Sequence, residues 1–196
     1  MYSVDNVKEI LRTRLSEKRY IHSLNVADEC RHLAQIYDSD EEKAYFAGLV
    51  HDICKELPVD QLKQKAVDSN LAISKAELET KALWHAIAGA GFVKNDMKIN
   101  DIDIINAVRF HTVARAGMTK LEEIVYIGDL ISADRTYKDV KRFRKLAYQE
   151  LDKTMLEAVV FSIQSVIEKR GLIPEYTIHA YNQYLYVESK HNQERK

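Results

Sequence analysis

The chain has 196 residues, of which 46% are hydrophobic and 30% are charged, and this composition is typical of a single folded domain with a buried core. Its 29 Lys and Arg nearly balance its 30 Asp and Glu, for a net charge of −1, which argues against a general affinity for nucleic acid or for a membrane surface. The sequence has no signal-peptide pattern and no long apolar run, and Cys30 and Cys54 do not have the spacing of a metal or redox pair. These features predict a reduced, cytoplasmic protein.

The sequence predicts an all-α protein. Turn-forming residues are rare, with 6 Gly and 2 Pro, and apolar residues recur every three or four positions, as on one face of a helix. We therefore expect one helical bundle over residues 1–196, with a frayed, solvated tail at about 190–196. In chain order, the predicted helices cover residues 4–15, 17–37, 39–58, 59–70, 75–90, 101–115, 121–135, 152–170 and, after "GLIPEY", about 177–189.

Two of these helices begin with a capping-box sequence, in which an N-cap hydroxyl is followed three residues later by Glu. Ser39 with Glu42 predicts the start of the helix that carries "VHDICK", and Thr119 with Glu122 predicts the start of the helix that carries "GDLISADR".

Four of the seven histidines and one aspartate stand within apolar helical segments: His22, His51, His85, His111 and Asp129. One such histidine is usually an ordinary hydrogen-bonded core residue. A carboxylate there costs several kcal/mol unless it is paired or binds a metal. Five such positions on five segments favour a shared metal site inside the bundle. The adjacent His51 and Asp52 point about 100° apart on a helix, so they can approach one ion from neighbouring directions.

The ordered ligand set His22, His51, Asp52 and Asp129 resembles that of the HD superfamily of all-α, metal-dependent phosphohydrolases. A wider set of segments, "RYIHSLNVA", "AGLVHDICK", "HAIAGA", "FHTVARAGM", "GDLISADR" and "GLIPEYTIHAYN", is similar to the YqeK-type symmetrical diadenosine tetraphosphate hydrolases and spans residues 19–182. Two positions depart from that family's pattern. Asn25 stands where Gly is common and Gly128 where Ala is more usual, which bears on local packing, since neither is a ligand.

The resemblance implies cleavage of diadenosine tetraphosphate into two ADP. It also implies one or two divalent transition-metal ions, with iron first and manganese, cobalt, nickel or zinc as alternatives. The expected mechanism is attack on phosphorus by water that the metal has activated, and Asp52 is counted as catalytic for holding that metal. Nucleic acid and membranes are not expected as partners, and a homodimer is left open.

Candidate phosphate-binding residues follow partly from spacing. Lys55 lies three residues after Asp52 and Arg19 three residues before His22, so each shares a helix face with a metal ligand. Lys55 is expected in a catalytic and a substrate-binding role, whereas an exposed surface charge is the alternative for both residues. The family resemblance, more than spacing, marks Arg135 as substrate-binding, where a guanidinium suits a phosphate.

His85 and His111 have three interpretations: ligands of a second metal, direct contacts to phosphate, or a general acid for the leaving group. Thr112 could add a hydroxyl to the phosphate contacts. The resemblance also implies that the segment with Gly171, Ile173 and Tyr176 closes over the nucleoside. A turn between helices with core aromatics is the alternative for that segment.

Three other functions stay open from the sequence. The same scaffold could carry another nucleotidase or phosphodiesterase activity, or a dimetal oxygenase in which His85 and His111 are ligands. A non-catalytic nucleotide-binding module is the third. A structural metal site is coordinatively closed with four ligands, and the six candidate ligands here argue mildly against it.

Overall fold

The structure is a computed structural model that describes residues 3–194 and the side chains of residues 3–190. Within this range it contains eleven α-helices, one short 3₁₀ helix and no β-strand, so the predicted all-α class is confirmed. The helices are α1 Val4–Arg14, α2 Glu17–Ile36, α3 Glu41–Val50, α4 Val59–Asp68, α5 Lys75–Glu79, the 3₁₀ helix Lys81–Leu83, α6 Trp84–Asn95, α7 Ile102–Phe110, α8 Lys120–Ile131, α9 Val140–Ala147, α10 Leu151–Glu168 and α11 Glu175–Glu194.

The helix predicted to run through "VHDICK" to Pro58 ends earlier, at Val50. Residues 51–56 form consecutive tight turns, in which Ile53 donates to the carbonyl of Val50 at 3.1 Å and Lys55 to that of Asp52 at 2.8 Å. The predicted N-cap is also wrong by one residue, because Asp40, not Ser39, accepts from the backbone N–H of Lys43. The capping box at Thr119 is confirmed.

The single helix predicted over residues 75–90 is divided into α5, the 3₁₀ helix and α6. Thr80 at the break has an extended backbone. The carbonyl of Glu77 accepts from the N–H of Thr80, and the indole N–H of Trp84 donates at 3.1 Å to the carbonyls of Glu77 and Leu78, so the indole helps to satisfy the carbonyls at the end of α5. The short helix α9 was not predicted.

Close packing around Cys30 brings α2, α3 and α8 together. A Cβ added at Gly48 on α3 would lie 2.9 Å from the sulfur of Cys30, and one added at Gly128 on α8 would lie 2.6 Å from it. No side chain larger than hydrogen fits at either point without movement. Gly128, one of the two departures from the family pattern, therefore allows α8 to approach α2.

Among residues 3–194, no helix is both long and apolar enough to cross a lipid bilayer. The last helix extends past the predicted end, to Glu194. The sequence predicted a frayed tail at about 190–196. The side chains of residues 191–196 and the whole of residues 195 and 196 lie outside the described part of the chain, so the frayed tail stays a prediction.

Candidate metal centre

The structure brings together all four side chains that the sequence predicts as metal ligands. His22 extends from α2, His51 and Asp52 from the turn after α3, and Asp129 from α8. Nε2 of His22 lies 3.1 Å from Oδ1 of Asp129. Nε2 of His51 lies 3.7 Å from Oδ2 of Asp52 and 3.9 Å from the same Asp129 oxygen. Two nitrogens and two carboxylates thus surround one small volume.

Three of these ligand atoms are buried without a hydrogen-bond partner within the described part of the chain: Nε2 of His22, Nε2 of His51 and Oδ1 of Asp52. A buried polar atom without a partner costs about 1–3 kcal/mol. Ligand atoms of His22, His51 and Asp129 lie within 4.8 Å of one another. Such a set of imidazole nitrogens and carboxylate oxygens fits a divalent transition metal.

The rest of each imidazole is held so that Nε2 keeps its lone pair for the centre. Nδ1 of His51 donates to the carbonyl of Gly48 at 2.6 Å, and Nδ1 of His111 to that of Val108 at 2.7 Å. Both bonds reach back three residues. Nδ1 of His22 instead donates to Oδ2 of Asp134 at 2.9 Å. Such outer hydrogen bonds fix the tautomer and direction of a ligating histidine.

Asp134 is a functional candidate that the sequence reasoning missed. Its other oxygen, Oδ1, accepts from the hydroxyl of Ser132 at 2.9 Å and from the amide of Asn25 at 3.3 Å. Asn25, the second departure from the family pattern, thus supports the carboxylate that orients His22. The helix predicted over 121–135 ends at Ile131, and Asp134 follows that end by three residues, so the expected helical periodicity did not indicate which way it faces.

Burial and charge set the protonation of the ligands. Burial lowers the pKa of His51 to about 4, so the imidazole is neutral at pH 7. Burial alone would raise the pKa of Asp52, but the neighbouring imidazoles of His51, His111 and His85 outweigh it and hold that pKa well below its usual range. A neutral imidazole and an ionised carboxylate are the forms that bind a metal.

His85 and His111 approach the same aspartate from the other side. Nε2 of His85 lies 3.2 Å from Oδ1 of Asp52 and 3.2 Å from Nε2 of His111, which is itself 3.6 Å from that oxygen. Burial lowers the pKa of His85. The two imidazoles and Asp52 form a second group of converging ligand atoms beside the first.

Three cations border the centre. The ammonium of Lys55 lies 3.0 Å from Nε2 of His85 and 3.6 Å from Oδ1 of Asp52. The guanidinium of Arg19 lies 3.3 Å from Oδ2 of Asp52, and that of Arg135 pairs with Asp129. Their side chains are 29%, 34% and 36% exposed, respectively. They can therefore meet an anionic ligand that enters from solvent.

A cavity of about 400 Å³ opens next to the centre, and Thr112, Arg135, His111 and Asp129 contribute to its lining. The hydroxyl oxygen of Thr112 is buried and without a partner among the described residues. The remaining predicted residues, Gly171, Ile173 and Tyr176, do not line this cavity. The ring of Tyr176 instead packs edge-on against Phe110, the residue before His111, with ring centroids 5.3 Å apart.

Comparison with known proteins identifies relatives over nearly the whole chain. The family model described as HD domain matches residues 19–134, a range that includes the four predicted ligands and ends at Asp134. The chain is 31% identical to the Bacillus subtilis protein named symmetrical bis(5'-nucleosyl)-tetraphosphatase, over 88% of this chain and 92% of that protein. It is 32% identical to a Staphylococcus aureus protein of the same name, over 96% and 97%.

A solved structure has the same fold. It is the crystal structure of a predicted HD superfamily hydrolase involved in NAD metabolism from Clostridium acetobutylicum. The two structures superpose with a TM-score of 0.90 at 38% sequence identity, over 95% of this chain and 98% of that one.

Proposed function

The chain belongs to the HD domain family, and from this premise we propose that it hydrolyses diadenosine tetraphosphate symmetrically into two ADP. The name shared by its relatives describes this reaction, and the HD domain fits a metal-dependent phosphohydrolase. The observation that carries the proposal is the group of buried, unpartnered ligand atoms on His22, His51 and Asp52, because it is bordered by cations that are open to solvent.

The metal in this proposal is held by His22, His51, Asp52 and Asp129. Iron is our first choice, and manganese, cobalt, nickel or zinc are alternatives with compatible ligand chemistry. When bound, such an ion supplies a Lewis acid and lowers the pKa of water from about 15.7 to near 7 in favourable sites.

The three cations bind the polyphosphate. Lys55, Arg19 and Arg135 each already contact a carboxylate of the centre, so a phosphate oxygen that approaches the metal meets a positive charge on several sides. Their charges offset the negative charge that gathers on the reacting phosphate. Lys55 also donates to Nε2 of His85, and we assign this pair to the phosphate that leaves.

Symmetrical cleavage requires that one ADP half be fixed relative to the metal. We assign the phosphates of this half to Thr112 and Arg135 beside the cavity, and a nucleoside of the substrate to Gly171, Ile173 and Tyr176 before and at the start of α11. The partner is then a small nucleotide, with ADP as product, in the cytoplasm. Nucleic acid and membranes have no part in the proposal, and the balanced net charge of −1 supports this. A homodimer would be compatible with it.

Product analysis tests the function. Purified protein loaded with Fe²⁺, Mn²⁺ or Co²⁺ is given diadenosine tetraphosphate, and the products are separated by chromatography. ADP alone is the expected product. ATP together with AMP would keep the hydrolase and overturn the cleavage position. No turnover with any metal would overturn the proposal, and oxygen uptake would then test the dimetal oxygenase.

Metal content tests the role of His85 and His111. We assign them to phosphate contact, which predicts one tightly bound Mn²⁺ per chain in the wild type and in the variant that carries both His85→Ala and His111→Ala. Two ions in the wild type and one in the double variant would make these histidines ligands of a second metal. Elemental analysis after desalting measures the number of ions directly.

A further inference from the structure

The cavity next to the metal centre has walls of a kind that bind flat rings. Leu130 of α8, Tyr137 and Phe161 of α10 line it. The rings of Tyr137 and Phe161 are stacked, with centroids 5.4 Å apart and planes inclined by 27°. Its volume of about 400 Å³ is in the range of small-molecule pockets, about 300–1,000 Å³.

Two hydroxyls add polar atoms to this lining. The hydroxyl of Tyr126 lies 2.9 Å from that of Ser162, and neither makes another side-chain hydrogen bond within the described residues. Burial raises the pKa of Tyr126 to about 12, so the phenol stays protonated at neutral pH. Because the pair shares one hydrogen between its two oxygens, one O–H hydrogen and several lone pairs remain for a ligand.

The position of the cavity relates these groups to a nucleotide. Arg135 and His111 line the cavity and also belong to the metal centre, so a phosphate bound there has its nucleoside within reach of the aromatic walls. Bases stack on aromatic side chains whatever their identity, and stacking contributes about 1–3 kcal/mol per base. A purine carries both a hydrogen-bond donor and an acceptor along its hydrogen-bonding edge. A pair of hydroxyls that can both donate and accept matches that edge.

Resting on the proposed function, we propose that this cavity binds a purine base of the substrate, with Tyr137, Phe161 and Leu130 against the ring and the Tyr126–Ser162 hydroxyls at its hydrogen-bonding edge. The residues that the sequence assigned to the nucleoside, Gly171, Ile173 and Tyr176, lie outside the cavity lining. A dinucleotide has two nucleosides, so the two sets of residues can serve one on each half of the substrate.

The test compares a ligand that has a base with one that lacks it. ADP and inorganic pyrophosphate are titrated into Mn²⁺-loaded protein by calorimetry, for the wild type and for Ser162→Phe, which fills the cavity from α10. We expect ADP to bind about 10–100-fold more weakly, from the stacking energy lost, while the affinity for pyrophosphate changes less than about twofold. Gln164→Phe is the control, since it places the same ring on an exposed position of the same helix.

A second pair of variants probes the hydroxyls without filling the cavity. Tyr126→Phe and Ser162→Ala should each weaken ADP by about 2–12-fold, the value of one hydrogen bond, and leave pyrophosphate unchanged. Unchanged ADP affinity in Ser162→Phe, or equal losses for ADP and pyrophosphate, would overturn the base pocket. If the wild type still cleaves diadenosine tetraphosphate symmetrically, the proposed function survives that result. A wild type that neither binds ADP nor cleaves the dinucleotide overturns both.

Discussion

Two buried groups of charged residues stand in contrast. In one, Arg109 of α7 donates to both carboxylate oxygens of Glu77 on α5, at 2.6 and 2.9 Å, and to the carbonyl of Ala72 at 2.7 Å. In the other, Asp52 and the imidazoles around it keep buried atoms that have no hydrogen-bond partner among the described residues. Both groups are almost fully buried. In the first only Nε of Arg109 is without a partner among the described residues, whereas in the second three converging ligand atoms are.

This difference separates a structural ion pair from a ligand site. Burying a charge costs free energy in both places. In the Arg109–Glu77 pair the compensation comes from the chain itself and joins the segment around α5 to α7. Around Asp52 the cations of Arg19 and Lys55 supply part of the compensation, and the unpartnered atoms of His22, His51 and Asp52 are left for a bound ion. Burial of charge alone therefore does not indicate function, whereas buried ligand atoms that converge without partners do.

The largest effect should come from removing the central carboxylate. Asp52→Ala deletes one proposed ligand, so we expect both hydrolysis and tight metal binding to be lost. Its melting temperature in EDTA should stay close to that of the wild type, since the ion pairs that it breaks, with Arg19 and Lys55, involve partly exposed cations that water can solvate. Thermal unfolding with and without Mn²⁺ measures this. The wild type should gain about 2.7 kcal/mol at a metal concentration 100 times its Kd, and the variant nothing. If the variant were already unfolded in EDTA, Asp52 would be needed for the fold and not only for binding the metal.

The converse variant breaks the structural pair. Glu77→Gln leaves the guanidinium of Arg109 buried without a countercharge, which should lower the free energy of unfolding by about 3–5 kcal/mol. Urea denaturation measures the loss. Glu79→Gln, two residues later and exposed, should change stability little. The folded fraction of Glu77→Gln should bind Mn²⁺ with wild-type affinity. A specific loss of metal affinity there would contradict the division between the two groups.

Asp134 should show a smaller effect that is confined to the metal centre. Asp134→Ala removes the carboxylate that orients His22, and loss of such an outer contact typically lowers metal affinity by about 10–100-fold. Competition with a chelating dye measures the Mn²⁺ affinity. Asp134→Asn should recover part of it, because its amide oxygen can still accept from Nδ1 of His22. Asp139→Ala, in the segment before α9, is the control. Equal affinities in Asp134→Ala and the wild type would remove Asp134 from the site.

The sequence predicted the helical class and the convergence of the four ligands because both depend on patterns that a linear chain displays. His22, His51 and Asp129 interrupt apolar surroundings, and their order resembles the HD pattern that the comparisons then confirmed. The roles of the cations and of His85 and His111 stay predictions.

What the sequence did not predict depends on tertiary contacts. The end of α3 at Val50 and the break at Thr80 are fixed by turns and by the indole of Trp84, which no local periodicity reveals. Asp134 lies outside any helix. The cavity is lined by residues that are as much as 51 positions apart, between His111 and Ser162, so it arises only once α8 and α10 are packed.

The smallest effect concerns a buried carboxylate that belongs neither to the Arg109–Glu77 pair nor to the group around Asp52. Glu123 on α8 accepts from the hydroxyl of Tyr184 at 2.7 Å. Burial raises its pKa above the ordinary 4.5, although the hydrogen bond from Tyr184 partly opposes this. The folded state then binds the proton more tightly than the unfolded state, so stability falls as pH rises from about 4.5 through the raised pKa, and it stays lower at neutral pH.

Glu123→Gln keeps an acceptor for Tyr184 and removes the charge. It should therefore be more stable than the wild type at pH 7, by up to about 1.4 kcal/mol per pKa unit of the shift, and equal to it at pH 4. Urea denaturation at the two pH values tests this, with Glu168→Gln, an exposed position at the end of α10, as the control. Metal affinity should not change, since Glu123 has a hydrogen-bond partner in the chain and is not among the buried atoms of the described residues that lack one. A Gln variant that loses stability at pH 7 would show that this carboxylate, like Glu77, is a structural partner whose charge the fold requires.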